Sequence, residues 1–302
     1  MSTASFIPVL ADLVMATGQH HMPPNDDWKS PMNAGSNEKQ NYMDGIGKSK
    51  WGMAFPVADG IVSYFATQDP HFYHFTAASA MTLVYKQFIY AMISAAQYAF
   101  NIWKPTLFFK DLKVNGPVVV GAPGCLKSSG PDFGKLMTSY PGLADVRIGL
   151  YSEQWIKGVC DGVSSCVKNY IDNVTVPGLP WYPAFAVFPG PVAPPMPNIP
   201  SMLVMCPSVG LPKVTVPQQI QDAIVGKLSS KIKQNCPEEI HKTIALAIGT
   251  SLATGFGIWI ATQTVNLVMG TGQIPTFAPP FVPAGPVVMG QNIPSGGGNL
   301  MP

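Results

Sequence analysis

The stretch most suggestive of chemistry is a Gly- and Pro-rich run, Pro117-Val-Val-Val-Gly-Ala-Pro-Gly-Cys-Leu-Lys-Ser128. Its composition matches a phosphate-binding loop, in which a buried strand leads into glycine-rich backbone amides and a lysine reaches the phosphates. That motif needs glycine directly before the lysine and a helix directly after it. Here Leu126 precedes Lys127, and Ser129-Gly-Pro-Asp132 would interrupt a helix. We therefore interpret the run as a turn and predict no nucleotide site.

Residues that bind metals are few and unfavourably spaced. The histidine clusters are His20-His21 and His71-x-x-His74, and neither has cysteines or carboxylates nearby at a ligand spacing. Cys160 and Cys166 have five residues between them, which matches no structural zinc motif. We predict no metal site and no cofactor.

Groups for acid–base or nucleophilic catalysis are equally scarce. The paired carboxylates are Asp26-Asp27, in an irregular region, and Glu238-Glu239, which suit the positive end of a helix. The sequence contains no Gly-x-Ser-x-Gly elbow and no His-Glu-x-x-His motif. We assign no catalytic, cofactor-binding or metal-binding residue, and we predict that the protein is not an enzyme.

The chain is poor in charge. Only 11% of its 302 residues are Asp, Glu, Lys or Arg, against about 25% in an ordinary soluble domain. The net charge of +2 offers no basic surface for nucleic acid. Two long segments, Asn173–Pro212 and Thr243–Pro302, contain no charged residue. Such segments must lie against the chain's own core, a lipid bilayer or other subunits.

The N-terminal sequence and the cysteines indicate where the chain is made. Pro8 and Asp12 break the first apolar stretch, and no basic residues precede it, so it does not read as a secretory signal. The five cysteines form no Cys-x-x-Cys pair. Synthesis in the cytoplasm, with reduced and buried thiols, is the expected state.

The pattern of apolar residues and prolines predicts a mixed fold, mainly α with short strands. Pro70 is favoured in the first turn of a helix that runs to Trp103, and a second long helix is expected over 237–269. We expect two long apolar helices, short strands, and Pro/Gly-rich extended segments that place more than half of the residues outside regular structure.

Composition divides the chain into four segments. Residues 1–68 predict an extended N-terminal arm, and residues 69–176 the first helix with a Gly-Pro-Val-Val unit. Residues 177–216 form an apolar, proline-rich connector in which neither a helix nor a central strand can persist. Residues 217–302 hold a second helical unit with a charge-free tail rich in Gly and Pro.

Several short sequences recur, which predicts an internal duplication. Phe100-Asn-Ile-Trp103 matches Phe256-Gly-Ile-Trp259, and Gly116-Pro-Val-Val-Val-Gly121 matches Gly285-Pro-Val-Val-Met-Gly290. A partial third copy is Gly190-Pro-Val-Ala193, followed by Asn198-Ile-Pro-Ser201, which itself matches Asn292-Ile-Pro-Ser295. We expect the Gly-Pro-Val-Val segments to form edge strands that add to a neighbour's sheet.

The second long helix supports an alternative. Thr243–Met269 is uncharged and long enough for a hydrocarbon core of about 30 Å. Gly249, Ala253 and Gly257 follow each other at the four-residue spacing that membrane helix pairs use. Its many Thr, Ser, Gln and Asn residues favour burial among protein subunits. A membrane-inserting pore or ejection protein that uses helix 237–269 remains the alternative function.

Taken together, the repeated Gly-Pro-Val-Val segments, the charge-free helix and the aromatic, proline-rich arms resemble structural proteins of tailed bacteriophage virions. The resemblance is to tail or baseplate components of contractile particles. It implies a non-enzymatic subunit located in the virion, with other virion proteins and copies of itself as partners. It implies neither nucleic acid nor a small-molecule substrate as a ligand.

Overall fold

The computed structural model describes residues 6–17, 70–149, 151–181, 192–234, 240–274 and 287–300. Among its well-defined residues, 54% are helical and 22% lie in strands. Three long helices lead into one curved antiparallel sheet. The described helices are α1 Pro8–Thr17, α2 Pro70–Trp103, α3 Phe133–Thr138, α4 Ser152–Asp172, α5 Leu211–Thr215, α6 Pro217–Lys227, α7 Ser230–Gln234 and α8 Ile240–Thr262.

The strands form one large sheet and two small ones. The described strands are β1 Leu107–Phe109, β2 Lys113–Asn115, β3 Val118–Gly121, β4 Leu126–Ser128, β5 Val176–Pro180, β6 Val192–Pro197, β7 Ser201–Met202, β8 Thr264–Val265, β9 Met269–Gln273 and β10 Val288–Ile293. The large sheet has the order β5-β3-β2-β10-β9-β6, and every neighbouring pair is antiparallel. The strands β1 and β4 pair separately, as do β7 and β8.

The described elements include three units with the same internal order, while α5, α7, β1, β4, β7 and β8 lie outside them. Each unit has a short helix, a long helix, a strand and a returning strand that begins one or two residues after a Gly-Pro pair in the sequence. Unit 1 comprises α1, α2, β2 and β3; unit 2 comprises α3, α4, β5 and β6; unit 3 comprises α6, α8, β9 and β10. The predicted duplication therefore understates the repeat. The partial third copy at Gly190 belongs to a full third unit.

The three units are joined in cyclic order. The last strand of each unit pairs with the first strand of the next: β3 with β5, β6 with β9, and β10 with β2. The short helices repeat this cycle. Helix α3 packs between α2 and α4, α6 between α4 and α8, and α1 between α8 and α2. The fold therefore has approximate three-fold internal symmetry.

The prolines of the connector lie on the two edge strands, β5 and β6. Proline cannot donate to a strand ladder, so it is tolerated at an edge and not in the centre of a sheet. The two edges also approach each other. Trp181 bridges Asn198, and Ile199 donates its N–H to the Pro180 carbonyl at 3.1 Å. In the described residues of this region, the prediction that no central strand persists is confirmed. The prediction that no helix persists there is wrong, because α5 forms over Leu211–Thr215 with a proline in its first turn, where the missing N–H is not needed.

The repeated aromatic residues form the centre of the core. Phe100 and Trp259 lie with ring centroids 5.2 Å apart, and Trp103 and Trp259 lie 6.0 Å apart, both edge to face. Phe256 completes the cluster, 6.0 Å from Phe100. Edge-to-face pairs add about 0.5–1.5 kcal/mol beyond the burial of their area. The ends of α2 and α8 are therefore fixed against each other.

Several sequence predictions need correction. Pro8–Thr17 of the predicted extended arm is helical, because Phe6 packs on Phe256 and Asp12 pairs with Lys86. The rest of the arm lies outside the described residues. Helix α8 ends at Thr262 and not at Met269. Gln263 there accepts a hydrogen bond from the Trp259 indole at 2.9 Å, and two strands follow.

The fold class is confirmed only in its mixed character. Regular structure covers most of the described residues, so the expectation of predominantly irregular structure is wrong for them. One helix there, α8, combines spanning length with sufficient hydropathy, so the prediction of two long apolar helices is wrong. Helix α2 is more polar because it contains Lys86, which pairs with Asp12, and Gln97, which accepts the Phe6 N–H.

The Gly-Pro-Val-Val strands are not sheet edges. Strand β3 lies between β5 and β2, and β10 lies between β2 and β9, so both have partners on each side within the chain. Three of the predicted segments contribute strands to this sheet, namely residues 69–176, 177–216 and 217–302. Pairing between strands far apart in sequence overrides the compositional boundaries.

Candidate functional site

The Gly/Pro-rich run around Lys127 forms a turn between β3 and β4, as predicted. Its backbone amides already have partners: Gly124 donates to the Val174 carbonyl at 3.1 Å and Cys125 to the Ala122 carbonyl at 3.2 Å. Lys127 lies on strand β4, so no helix follows it directly. These amides are directed into the protein, and the loop lacks the geometry of a phosphate site.

A cleft of about 260 Å³ lies beside this turn, between β4 and α4. Its polar lining includes Lys127, Asp132, Ser164, Lys168 and Asp172. Asp132 accepts hydrogen bonds from the Gly134 N–H at 2.9 Å and the Ser164 hydroxyl at 2.7 Å, and it thereby caps α3. Lys168 pairs with Asp172 at 2.8 Å. Asp132, Ser164, Lys168 and Asp172 thus stabilise the local structure through these hydrogen bonds and this ion pair.

A wider, shallower cleft of about 700 Å³ lies on the other side of α3. Its charged lining mixes both signs: Asp132, Glu153 and Asp161 with Lys135 and Lys157. The Thr138 and Ser139 hydroxyls of this lining donate to the backbone carbonyls of Lys135 and Leu136, at 2.9 and 2.8 Å. The arrangement gives no sign of an activated nucleophile.

The four cysteines of the described residues are all free and buried. Burial raises the pKa of Cys125 and Cys166 to about 11, and that of Cys160 and Cys206 to about 12. The thiolate is the reactive form. These thiols are therefore held in an unreactive state, which suits a packing role.

Metal-binding residues give no site within the described part of the chain. No group of three His, Cys, Asp or Glu residues there could hold a metal ion. His71 and His74 lie on α2, but their side chains fall outside the description, as do His20-His21, Asp26-Asp27 and Glu238-Glu239. Predictions on these residues stay predictions.

Helix α8 is the described helix that is long and apolar enough to cross a membrane. However, 67% of its most apolar window is buried inside the protein. Its small residues allow close packing there: a Cβ on Gly249 would lie 2.8 Å from the Pro217 carbonyl oxygen, and one on Gly255 would overlap the Phe6 ring. Gly249 and Gly255 are thus explained by contacts with α6 and with Phe6, just before α1, whereas a Cβ on Gly257 would meet nothing within 4 Å.

The outer face of the large sheet is the remaining candidate site. The inner face of this sheet buries Val114, Val119 and Leu179, and the outer face lies in solvent. The six strands contain one charged residue, Lys113. Antiparallel sheets with one face in water normally alternate apolar and polar residues. Here valines stand at outward positions instead.

One exposed valine stands at the start of the returning strand in each unit. These are Val118 on β3, Val192 on β6 and Val288 on β10, with 40%, 47% and 40% of their surface exposed. We call these three residues the rim. Val118 lies opposite Asn115 and Pro180, and Val192 and Val288 both lie opposite Gln273. Each rim residue thus lies opposite the last residue of a neighbouring strand.

Sequence reasoning did not identify the rim, although its signal was present. The three copies of Gly-Pro-Val mark the three returning strands, and the motif valine is the rim residue in two of them; in the third copy it is the buried Val287, and the rim residue Val288 follows it. Their relation to one another depends on the order of strands in the sheet. Comparison of the chain with protein families, with curated proteins and with solved structures finds no match.

Proposed function

We propose that this protein is a non-enzymatic structural subunit of a large assembly, a tail or baseplate component of a bacteriophage virion. It acts by packing against other subunits. The observation that carries the proposal is the charge-poor sheet with an exposed rim of valines. Apolar groups on an outer face with a single charged strand residue, Lys113, gain stability when a partner removes them from water.

The interior of the protein supports the same role. The buried thiols are unreactive, the polar groups of the smaller cleft serve as caps and ion pairs, and the glycine-rich turn uses its amides internally. Such a framework presents surfaces in fixed positions. That property is what a subunit of a large particle requires.

The test is the composition of purified contractile particles from cells that produce the protein. After density-gradient purification and washing in high salt, we expect quantitative mass spectrometry to find the chain at a constant ratio to the tube protein across preparations. A ratio that falls with each washing step, or loss of the chain from intact particles, would overturn the proposal. Deleting the gene should then give particles that are absent or structurally incomplete.

A further inference from the structure

The rim belongs to a fold that presents the same strand three times in cyclic order. Each unit contributes one returning strand, and each of these strands pairs with the next unit. A single chain that exposes three equivalent strands offers more contact surfaces of one kind than an asymmetric partner can use. It matches a partner that offers three equivalent surfaces around an axis.

The edges of the sheet disfavour growth through further copies of the chain. Prolines 177 and 180 lie on β5, and prolines 194, 195 and 197 lie on β6. These residues blunt an edge strand. The two edges also meet at Trp181 and Asn198, so the cycle of units closes within one chain. One copy of the chain therefore completes the cycle of strands without pairing to a second copy.

The charge of the rim defines the chemistry of its partner. The strands β3, β6 and β10 contain no charged residue, and Lys113 on β2 is the only charge in the sheet. A charged group facing these strands would lose its hydration without gaining an ion pair, which is unfavourable. The complementary surface must therefore be uncharged and apolar.

From these observations we infer that the rim binds the end of a homotrimeric protein, with one copy of this chain seated on three identical subunits. The site consists of Val118, Val192 and Val288 with the outward residues beside them. The partner's end presents one uncharged, apolar strand or loop from each subunit. The inference rests on the proposed function in that it names the partner within the assembly.

The test uses purified particles that carry the full chain. A photoactivatable phenylalanine replaces Val118, Val192 or Val288 in three separate variants, and Lys135 on α3 in a control. We expect all three rim variants to cross-link to one and the same polypeptide, and the control not to do so. Native mass spectrometry of the released cross-linked complex should give one copy of this chain to three of the partner.

Different polypeptides at the three rim positions, cross-links between copies of this chain, or a ratio other than one to three would overturn the inference. Each of these outcomes leaves the chain in the particle, so the proposed function would stand. Loss of the chain from washed particles would instead sink the proposed function and the inference with it.

A charge variant gives a second readout. Val192→Lys should reduce incorporation into particles at least tenfold, because it places an unpaired charge in the apolar contact. Thr138→Lys, on the exposed end of α3, should incorporate normally. Circular dichroism melting of both purified variants establishes that they are folded. Normal incorporation of folded Val192→Lys would contradict the inference that the rim is the surface that contacts the partner.

Discussion

Asn198 and Asn292 join different units of the sheet through the same three hydrogen bonds. Each donates its backbone N–H to a carbonyl, accepts the N–H of that same residue on its side-chain oxygen, and donates its side-chain NH₂ to the carbonyl three residues earlier. Asn198 does so with Val268 and Val265, at 3.1, 3.0 and 3.0 Å. Asn292 does so with Leu112 and Phe109, at 3.1, 2.8 and 2.7 Å.

These two asparagines hold the turns that lead into β9 and β2. Each turn contains a non-glycine residue with positive φ, Leu267 at 54° and Asp111 at 60°. Such a conformation is uncommon for residues other than glycine, and more so for leucine than for aspartate, and it is maintained by surrounding contacts. The asparagine side chain supplies those contacts, and this explains why Asn-Ile-Pro-Ser recurs in the sequence.

Replacing one of these asparagines should destabilise the protein strongly. Asn292→Ala leaves the Leu112 N–H and the Phe109 carbonyl without their side-chain partner in a buried site. We expect the free energy of unfolding to fall by about 2–4 kcal/mol, since each buried unsatisfied group costs about 1–3 kcal/mol. Chemical denaturation measures the change. Gln291→Ala, at the exposed neighbouring position, should stay within about 0.5 kcal/mol of wild type; an equal loss in both would contradict the assigned role.

The small residues of α8 should differ sharply in their tolerance of a methyl group. A Cβ on Gly249 would lie 2.8 Å from the Pro217 carbonyl oxygen, whereas one on Gly257 would meet nothing within 4 Å. Gly249→Ala should therefore lower the free energy of unfolding by about 1–3 kcal/mol through overpacking. Gly257→Ala should raise it by up to about 1 kcal/mol through helix propensity. Thermal melts of the two variants provide the comparison, and equal effects would argue against the α8–α6 contact.

The buried thiols should resist alkylation while the protein is folded. Burial raises the pKa of Cys125, Cys160, Cys166 and Cys206 to about 11–12, so almost no thiolate exists at pH 8. In a Cys236→Ser background, iodoacetamide at pH 8 should leave all four unmodified in peptide mass spectra. The same treatment in denaturant should modify all four. Rapid native labelling of any one would show that its surroundings open readily.

Alkaline pH should weaken the attachment of α1 to α2. Burial, together with the hydrogen bond to Asp12 and its negative charge, raises the pKa of Tyr90 to about 12 from an ordinary value of 10. The folded state therefore retains the phenolic proton more strongly than the unfolded state. The associated stability is fully present below pH 10 and is lost as pH rises through 12.

The measurement is the difference in unfolding free energy between wild type and Tyr90→Phe across pH 8.5–11.5. The difference isolates the phenol from lysines that titrate in the same range. We expect the wild type to lose more stability than the variant as pH rises. Parallel curves would mean that Tyr90 does not contribute through its proton.

Liposomes should not bind the folded protein. The apolar surface of α8 is already used inside the chain, against α6, α1 and α5. In a flotation gradient with vesicles of phosphatidylcholine and phosphatidylglycerol, we expect the chain to remain in the dense fractions. Comigration with the vesicles after a high-salt wash would instead favour the membrane-inserting alternative.

The sequence alone determined the features that depend on neighbouring residues. Pro70 and Pro105 placed the limits of α2, and the dense prolines after Pro177 excluded a central strand there. Leu126 before Lys127 indicated a turn, and the structure has one there between β3 and β4. Such features follow from backbone sterics and missing donors, which act within a few residues.

The tertiary structure decided everything that depends on pairing across the chain. Strands β2 and β10 are neighbours although most of the sequence separates them, and this pairing moved the Gly-Pro-Val-Val segments from the expected edges to the interior of the sheet. The short repeats indicated two copies, but the third became complete only when α3, α4, β5 and β6 assembled. Sheet register and helix packing are set by contacts between distant residues, and local composition carries no information about which of those contacts form.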